Sequence, residues 1–419
     1  MIKLAILADD FTGALDTAVQ FSSRGIETSL QISNEIPGQL KPDCQVLAVN
    51  LETRHLSAQS AYESVYKTAL AFRTMRVPYL YIKVDSGLRG NVGASLAAAI
   101  SAWGQSVLLS PAYPDAGRVV QDGLLYIRGT PISRSCFAED LFNPILRDRI
   151  SDILKSQTDR TVSSHAGPAD NAIVPKDAQS NDDLRQIAWR AIRRDKFSLL
   201  AGSAGLARFL PEILQIESER VRVDRLPEPL LVISGSASRV SVEQLRYAQE
   251  HGFRSIALEG IASERPALGK LLRDVKAAPP RPGILIEASN TPISSGGAAA
   301  DRTRMAVGRQ IASNLGKAAA SIVNEGFDGT LFIFGGDTLS SIVRALNVST
   351  IRPICEVECG IVLSEAQIGA KRIRLLSKSG SFGAKDVIPR IYHMYIEERE
   401  SRNGEASRGH RGDAYADER

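Results

Sequence analysis

Short apolar runs recur along this chain, each closed by a polar or glycine-rich cluster and followed by a stretch of helical period. Leu4 to Ala8 is the first, five apolar residues without alternation, as a strand covered on both faces requires. Asp9-Asp10-Phe11-Thr12-Gly13-Ala14 closes it, and Leu15 to Phe21 has apolar residues at helical spacing. Thr28 to Ile32, Gln45 to Val49, Tyr79 to Val84 and Ser106 to Leu109 read as strands. Ala58 to Thr74 and the alanine-rich Ala94 to Ala102 read as helices among them. Such alternation commits a chain to an α/β fold, a mostly parallel sheet with helices on both faces.

The rhythm is interrupted and then resumes. Ser110 to Pro144 carries four prolines, which predicts an excursion over the sheet, with Leu124 to Arg128 as one arm of a hairpin. Arg160 to Ala169 is polar and expected to be mobile. Asp182 to Arg194 reads as a helix, Phe197 to Ala201 as a strand and Leu206 to Leu214 as a helix. Val221 to Pro229, charged and with two prolines, is the expected linker. Beyond it Leu230 to Ser234, Ser255 to Leu258, Gly283 to Glu287, Thr330 to Phe334 and Arg374 to Ser377 read as strands. Val240 to His251, Met305 to Asn324, Ser340 to Leu346 and Val387 to Ile396 read as helices. Ala288 to Arg304 is expected to be a flexible loop.

A chain of 419 residues is too long for one ordinary core. The reading is two α/β domains, residues 1–224 and 225–396, with the active site in the cleft between them. Residues 397–419 form a tail without periodicity, expected to be disordered. Residues 1–224 are expected to fold without the rest.

Charge and composition narrow the partners. A net charge of +4 is too small to argue for nucleic acid, and 6% aromatic residues are too few for a base-stacking platform. No apolar run is long enough to span a membrane, and no signal peptide precedes the first strand. Cys44, Cys136, Cys355 and Cys359 are scattered, which suits reduced thiols in a cytoplasmic protein. The five histidines have no metal-ligand spacing.

Four polar clusters fall where strands of the first half end, which is where open parallel sheets bind ligands. Asp9 and Asp10 offer acceptors for hydroxyls, or a base. Thr12 and Gly13 open a helix whose free N–H groups favour an anion. The plainer alternative is that Asp10 or Thr12 merely caps that helix. The second cluster supplies Arg54, a planar fork suited to a carboxylate or phosphate. The third, Lys83 to Asn91, puts Lys83 and Asp85 on one strand face and adds Ser86 and Arg89. In the fourth, Pro111 to Arg118, Asp115 or Arg118 could complete the pocket. Together these residues describe a site for a small hydroxylated acid.

The second half carries different chemistry. Ser234-Gly235-Ser236-Ala237-Ser238 and Gly335-Gly336-Asp337-Thr338 each join a strand to a helix, and Ser379 to Ala384 is a third such turn. Glycines let backbone N–H groups approach phosphate, and Ser234, Ser236 and Thr338 add hydroxyls. Asp337 could hold Mg²⁺ through water. Neither a Walker A lysine pattern nor a GxGxxG after a strand is present.

ADDFTGA at 8–14, KVDSGLRGN at 83–91, PAYPDAGR at 111–118, GSAGLA at 202–207, SGSAS at 234–238, FGGDT at 334–338 and KSGSFGAKD at 378–386 resemble, in this order, the four-carbon acid sugar kinases. These phosphorylate acids such as threonate, erythronate and 3-oxo-tetronate. The resemblance implies an N-terminal acid-binding domain and a C-terminal domain binding ATP. The acid's carboxylate would lie on Arg54, Lys83 or Arg89 and the Thr12–Gly13 helix start. Asp9, Asp10 and Asp85 would hold its hydroxyls, with Asp10 or Asp85 taking the proton. The ATP phosphates would rest on Ser234 to Ser238, Gly335 to Thr338 and Gly380 to Gly383. D-threonate or D-erythronate is the expected acceptor, with 3-oxo-tetronate, or a nucleotide-regulated binding protein without turnover, as alternatives. A homodimer is compatible with this reading. The family's DSTLRGN stretch has a threonine where this chain has Gly87.

Overall fold

The computed structural model describes residues 1–32, 43–138, 140, 143–216, 225–236, 238–288, 297–380 and 382–397. One sheet of 14 strands runs through the whole chain. Its first wing is all parallel, in the order Ile173–Pro175, Val107–Ser110, Leu199–Gly202, Tyr79–Lys83, Leu4–Ala8, Val46–Asn50 and Thr28–Gln31. The far wing is parallel too, with Lys371–Lys378, Thr330–Phe334, Leu230–Ser234, Ile284–Glu287 and the two-residue Arg254–Ser255. Leu4–Ala8 is buried along its whole length, as its unbroken apolar run demanded.

Between the wings lies an antiparallel meander, Thr350–Glu358, Ile361–Ile368 and Lys371–Lys378. Its outer strand pairs Thr350 and Ile351 with Gln31 and Leu30, so the two halves share one sheet. The sequence reading missed the first two of these strands. Thr350–Glu358 mixes Arg352 and Glu356 with buried residues, and in Ile361–Ile368 the apolar run stops after Ile361, Val362 and Leu363, so neither presents the run of about four or more that marks a buried strand.

Smaller departures have local causes. The expected helix Leu206 to Leu214 is two short ones, Ala204–Ala207 and Leu210–Leu214, because Pro211 cannot continue a helix and starts the second. From Gly297 the expected loop is already helix, Gly297–Asn324. The strand expected at Ser255 to Leu258 is only Arg254–Ser255. Residues 217–224, which take in 221–224 of the expected linker, residues 289–296 and the tail 398–419 lie outside the described residues.

The helix Phe11–Ser22 sits at the junction and packs against the first wing, the meander and the helix Gly336–Ala345. Phe11, Leu15 and Phe21 are fully buried there, each contributing about 1.5–3 kcal/mol. The excursion after Ser110 forms a second, three-stranded antiparallel sheet of Arg118–Gln121, Leu124–Ile127 and Thr130–Pro131. Among the described residues no helix is long and apolar enough to cross a membrane.

The shared sheet changes what is expected of a fragment. Residues 1–224 alone would leave Thr28–Gln31 as an unpaired edge. That fragment should melt below the full chain and self-associate in size-exclusion chromatography. A monomeric fragment as stable as the whole would mean that the Leu30–Ile351 pairing adds nothing.

Candidate active site

The end of the first strand fixes the frame. Asp10 is the N-cap of the helix Phe11–Ser22, its carboxylate accepting from Gly13 N at 3.1 Å and Thr12 Oγ1 at 2.8 Å. Capping and function are therefore not alternatives, because the capping carboxylate also lines a cavity. A Cβ at Gly13 would lie 2.3 Å from Asp10 Oδ1 and 2.5 Å from Lys83 Nζ. Glycine is what leaves room for both the ammonium and the carboxylate over this helix start.

Arg54 gathers the carboxylates. Its Nε and Nη2 donate to Asp9 at 2.7 and 3.0 Å, and Nη2 also meets Asp10 Oδ1 at 2.8 Å. Arg89 forks onto Asp85 with two bonds of 2.9 Å and turns Nη1 to Asp140 at 2.9 Å. Asp85 Oδ2 accepts from the backbone of Gly87 and Arg89 as well. Arg54 and Arg89, expected to converge on a ligand's carboxylate, are thus engaged by carboxylates of the protein.

Burial raises Asp9, and Arg54 offsets this only in part. For Asp10 burial acts in the same sense, but Arg54, Lys83 and the Thr12 hydroxyl outweigh it and hold the carboxyl below the usual range. Asp85 is also desolvated, yet Arg89 first, then Arg54 and Lys83, keep it far below that range.

The cations without a carboxylate partner, among the described residues lining this cavity, are Lys83, Arg118 and Lys378. Arg118 comes from the small second sheet and lies between the rings of Phe137 and Phe382, 5.6 and 5.0 Å from their centroids. Its Nε is buried with no hydrogen-bond partner. Asp115, the other residue suggested in that stretch, instead pairs with Arg208 and Asn181 away from the cavity. Ser86 lines the cavity as expected.

Asp16 had not been singled out as a site residue. It stands one turn beyond Thr12 on the same helix face, and that i, i+4 spacing was the available signal. Burial, then Glu356, pushes its carboxyl up to about 7, and its Oδ1 is unpartnered. Gly87 also finds its reason here. A Cβ at that position would lie 2.3 Å from the Phe137 ring, which occupies the space a larger residue would need.

In the second half three turns converge. Ser238 and Ser241 hydroxyls both donate to the Gly380 carbonyl, at 2.9 and 3.1 Å. A Cβ at Gly380 would lie 2.6 Å from Ser236 Oγ, and one at Gly235 would lie 2.3 Å from Thr338 Oγ1. Gly335 has φ +98°, which disfavours a side chain, and donates its N–H to the Lys378 carbonyl at 3.0 Å. Gln244 ties Phe382, Gly383 and Ala384 by their carbonyls, each at 3.0 Å. Ser234 Oγ is buried without a partner. The helices Arg239–Glu250 and Gly336–Ala345 both start at this crevice, and helix starts attract anions. Asp337 is exposed in the first turn of the latter. Ala237 and Ser381 lie outside the described residues.

The two constellations touch. A Cβ at Gly336 would lie 3.3 Å from Thr12 Oγ1 and 3.9 Å from Asp10 Oδ2. Glu52 accepts from Ser340 and Arg344, latching the same helix to the first half.

Two family models match this chain in succession. Residues 4–210 match the model of a sugar-binding N-terminal domain, and residues 231–388 match that of a nucleotide-binding C-terminal domain. A D-threonate kinase of Salmonella typhimurium is 28% identical, over 95% of this chain and 99% of its own. A 3-oxo-tetronate kinase of Methylobacterium radiotolerans is 25% identical, over 94% and 99%. A solved Salmonella typhimurium structure shares the fold, with TM-score 0.75 at 20% identity over 93% of this chain and 98% of that one.

Proposed function

The chain belongs to the family that joins a sugar-binding N-terminal domain to a nucleotide-binding C-terminal domain. From that premise we propose an ATP-dependent kinase of a four-carbon sugar acid, D-threonate or D-erythronate preferred and 3-oxo-tetronate the alternative. The observation that carries this is the approach of Asp10 and Thr12 to the Gly336 helix start. A carboxylate able to take a hydroxyl proton stands beside backbone N–H groups able to hold a phosphate.

Phosphoryl transfer needs positioning and charge neutralisation more than covalent chemistry. The acid's carboxylate is read onto Arg118 and Lys83, since Arg54 and Arg89 already hold aspartates. Asp16 and Ser86, which line the cavity, are read as partners of its hydroxyls. Asp10 is the base of choice. Asp85 is closed off by the Arg89 fork and two backbone donors, and Asp9 by the Arg54 fork. The ATP phosphates would lie on Ser234 to Ser238, Gly335 to Thr338 and Gly380 to Gly383. Asp337 fits Mg²⁺ only as an outer partner. It is one exposed carboxylate, and no group of three ligating side chains gathers among the described residues. The ion would ride on the phosphates and neutralise their charge. Residues 1–224 and 225–396 are read as the two functional halves. The four cysteines, all free, suit a cytoplasmic enzyme.

Incubation with MgATP and each tetronate in turn tests the activity. ADP should form with at least one of the three acids and far more slowly with the matching polyols. ATP binding without ADP from any acid would favour a nucleotide-regulated binding protein. The cradle has its own test in Gly235→Ala, whose methyl would collide with Thr338. KM for ATP should rise roughly tenfold or more, about 1.4 kcal/mol, with acid binding unchanged by calorimetry. An unaltered KM would remove this turn from the nucleotide site.

A further inference from the structure

Lys378 has no part in the mechanism above. It ends the strand Lys371–Lys378, immediately before the Ser379–Gly380 turn, and is 1% exposed. Its backbone carbonyl receives the Gly335 N–H, so it joins two of the three glycine turns. Its ammonium lies 4.1 Å from the centre of the Phe334 ring and 3.3 Å from Ser241 Oγ. Ser241 in turn donates to the Gly380 carbonyl. Its ladder partners are Phe334 and Ile361, and the nearby helix Arg239–Glu250 presents Ser241 and Gln244 to this crevice. None of these neighbours is titratable; Asp10, Asp16, Asp85, Lys83 and Arg118 line the same cavity, but burial and not their charge sets its protonation.

A lone ammonium buried among an aromatic ring and hydroxyls is costly. The same low dielectric makes it a strong partner for any anion that settles on the adjoining turn. Resting on the reading of this crevice as the nucleotide site, we propose that Lys378 is a binding residue for the nucleotide's phosphates, its charge completed by a proton taken up as they bind. Burial alone brings its amine down to about 7 in the free protein. At pH 8 it is therefore mostly neutral, and a phosphate nearby raises its affinity for a proton. Binding then draws one in.

Isothermal titration of MgATP into the full chain at pH 8, in buffers of different ionisation enthalpy, reads this directly. The wild type should take up close to one proton per ATP. Lys378→Met keeps the length and apolar bulk of the side chain. It should lose the uptake and bind MgATP about tenfold or more weakly, with the melting temperature equal or higher. Wild-type binding without proton uptake overturns the proposal, whatever the variant does. So does a folded Lys378→Met that binds and takes up protons as the wild type does. Failure of the wild type to bind MgATP at all, while it binds a tetronate, would instead remove the nucleotide site on which the proposal rests.

Discussion

Asp10→Asn should lower kcat by about a thousandfold, within the range of roughly 10²–10⁴ that a positioned base supplies. The substitution isolates that role. Asparagine caps a helix as well as aspartate does, so the Gly13 and Thr12 contacts have a replacement; Arg54 loses the charge of Asp10 but keeps both bonds to Asp9, so the melting temperature should fall only slightly. KM for ATP should change little. Because Arg54, Lys83 and Thr12 hold Asp10 below the usual carboxylate range, the wild-type enzyme should keep its base ionised into mildly acidic solution. The acid limb of its kcat profile should lie below the ordinary aspartate value. Asp85→Asn gives the contrast. It breaks a buried bidentate pair with Arg89, which costs about 3–5 kcal/mol, so any loss of rate should come with a clear fall in melting temperature. A kcat for Asp10→Asn within tenfold of wild type, in a folded protein, would transfer the proton to another group.

Arg118→Gln should raise KM for the sugar acid by about 30- to 150-fold, the 2–3 kcal/mol of a charge-assisted bond in a closed site. The argument is one of free valence. Arg54 and Arg89 spend their forks on Asp9, Asp10, Asp85 and Asp140. Arg118 is buried between two aromatic rings, and its Nε has no partner. A polyol of the same carbon skeleton, lacking the carboxylate, should be affected far less. Arg89→Lys should act chiefly on stability, because lysine cannot reproduce the fork onto Asp85. Steady-state kinetics on acid and polyol, beside thermal melts of both variants, separate the cases. Equal losses for acid and polyol would make Arg118 structural. A large, acid-specific rise in KM for Arg89→Lys at unchanged melting temperature would return the carboxylate to Arg89.

Much of this could be read from residue order. Strands buried on both faces must be apolar throughout, so Leu4–Ala8, Leu230–Ser234 and Thr330–Phe334 announce themselves. A parallel sheet binds at its C-terminal strand ends, so Asp9, Asp10, Lys83, Asp85 and the glycine turns could be placed at one edge from their position after each strand. Half-exposed antiparallel strands give no such run. The outer strand of the meander, Thr350–Glu358, which fuses the halves through Leu30 and Ile351, therefore went unread, and with it the single sheet.

The chemistry of the site divides along the same line. Local sequence decided which residues stand at the strand ends, because strand and helix periods act over a few positions. It could not decide which cations are free. Arg54, Arg89 and Arg118 are the same letter, and each has its availability set by carboxylates and rings that other segments bring up, Asp9 across 45 residues and Asp140 across 51. Lys378 stands in a stretch whose glycines were noticed, yet its burial beside Phe334 and Ser241 is a property of three elements at once. Charge state depends on the sum of all neighbours through a low dielectric, and that sum exists only once the chain is folded.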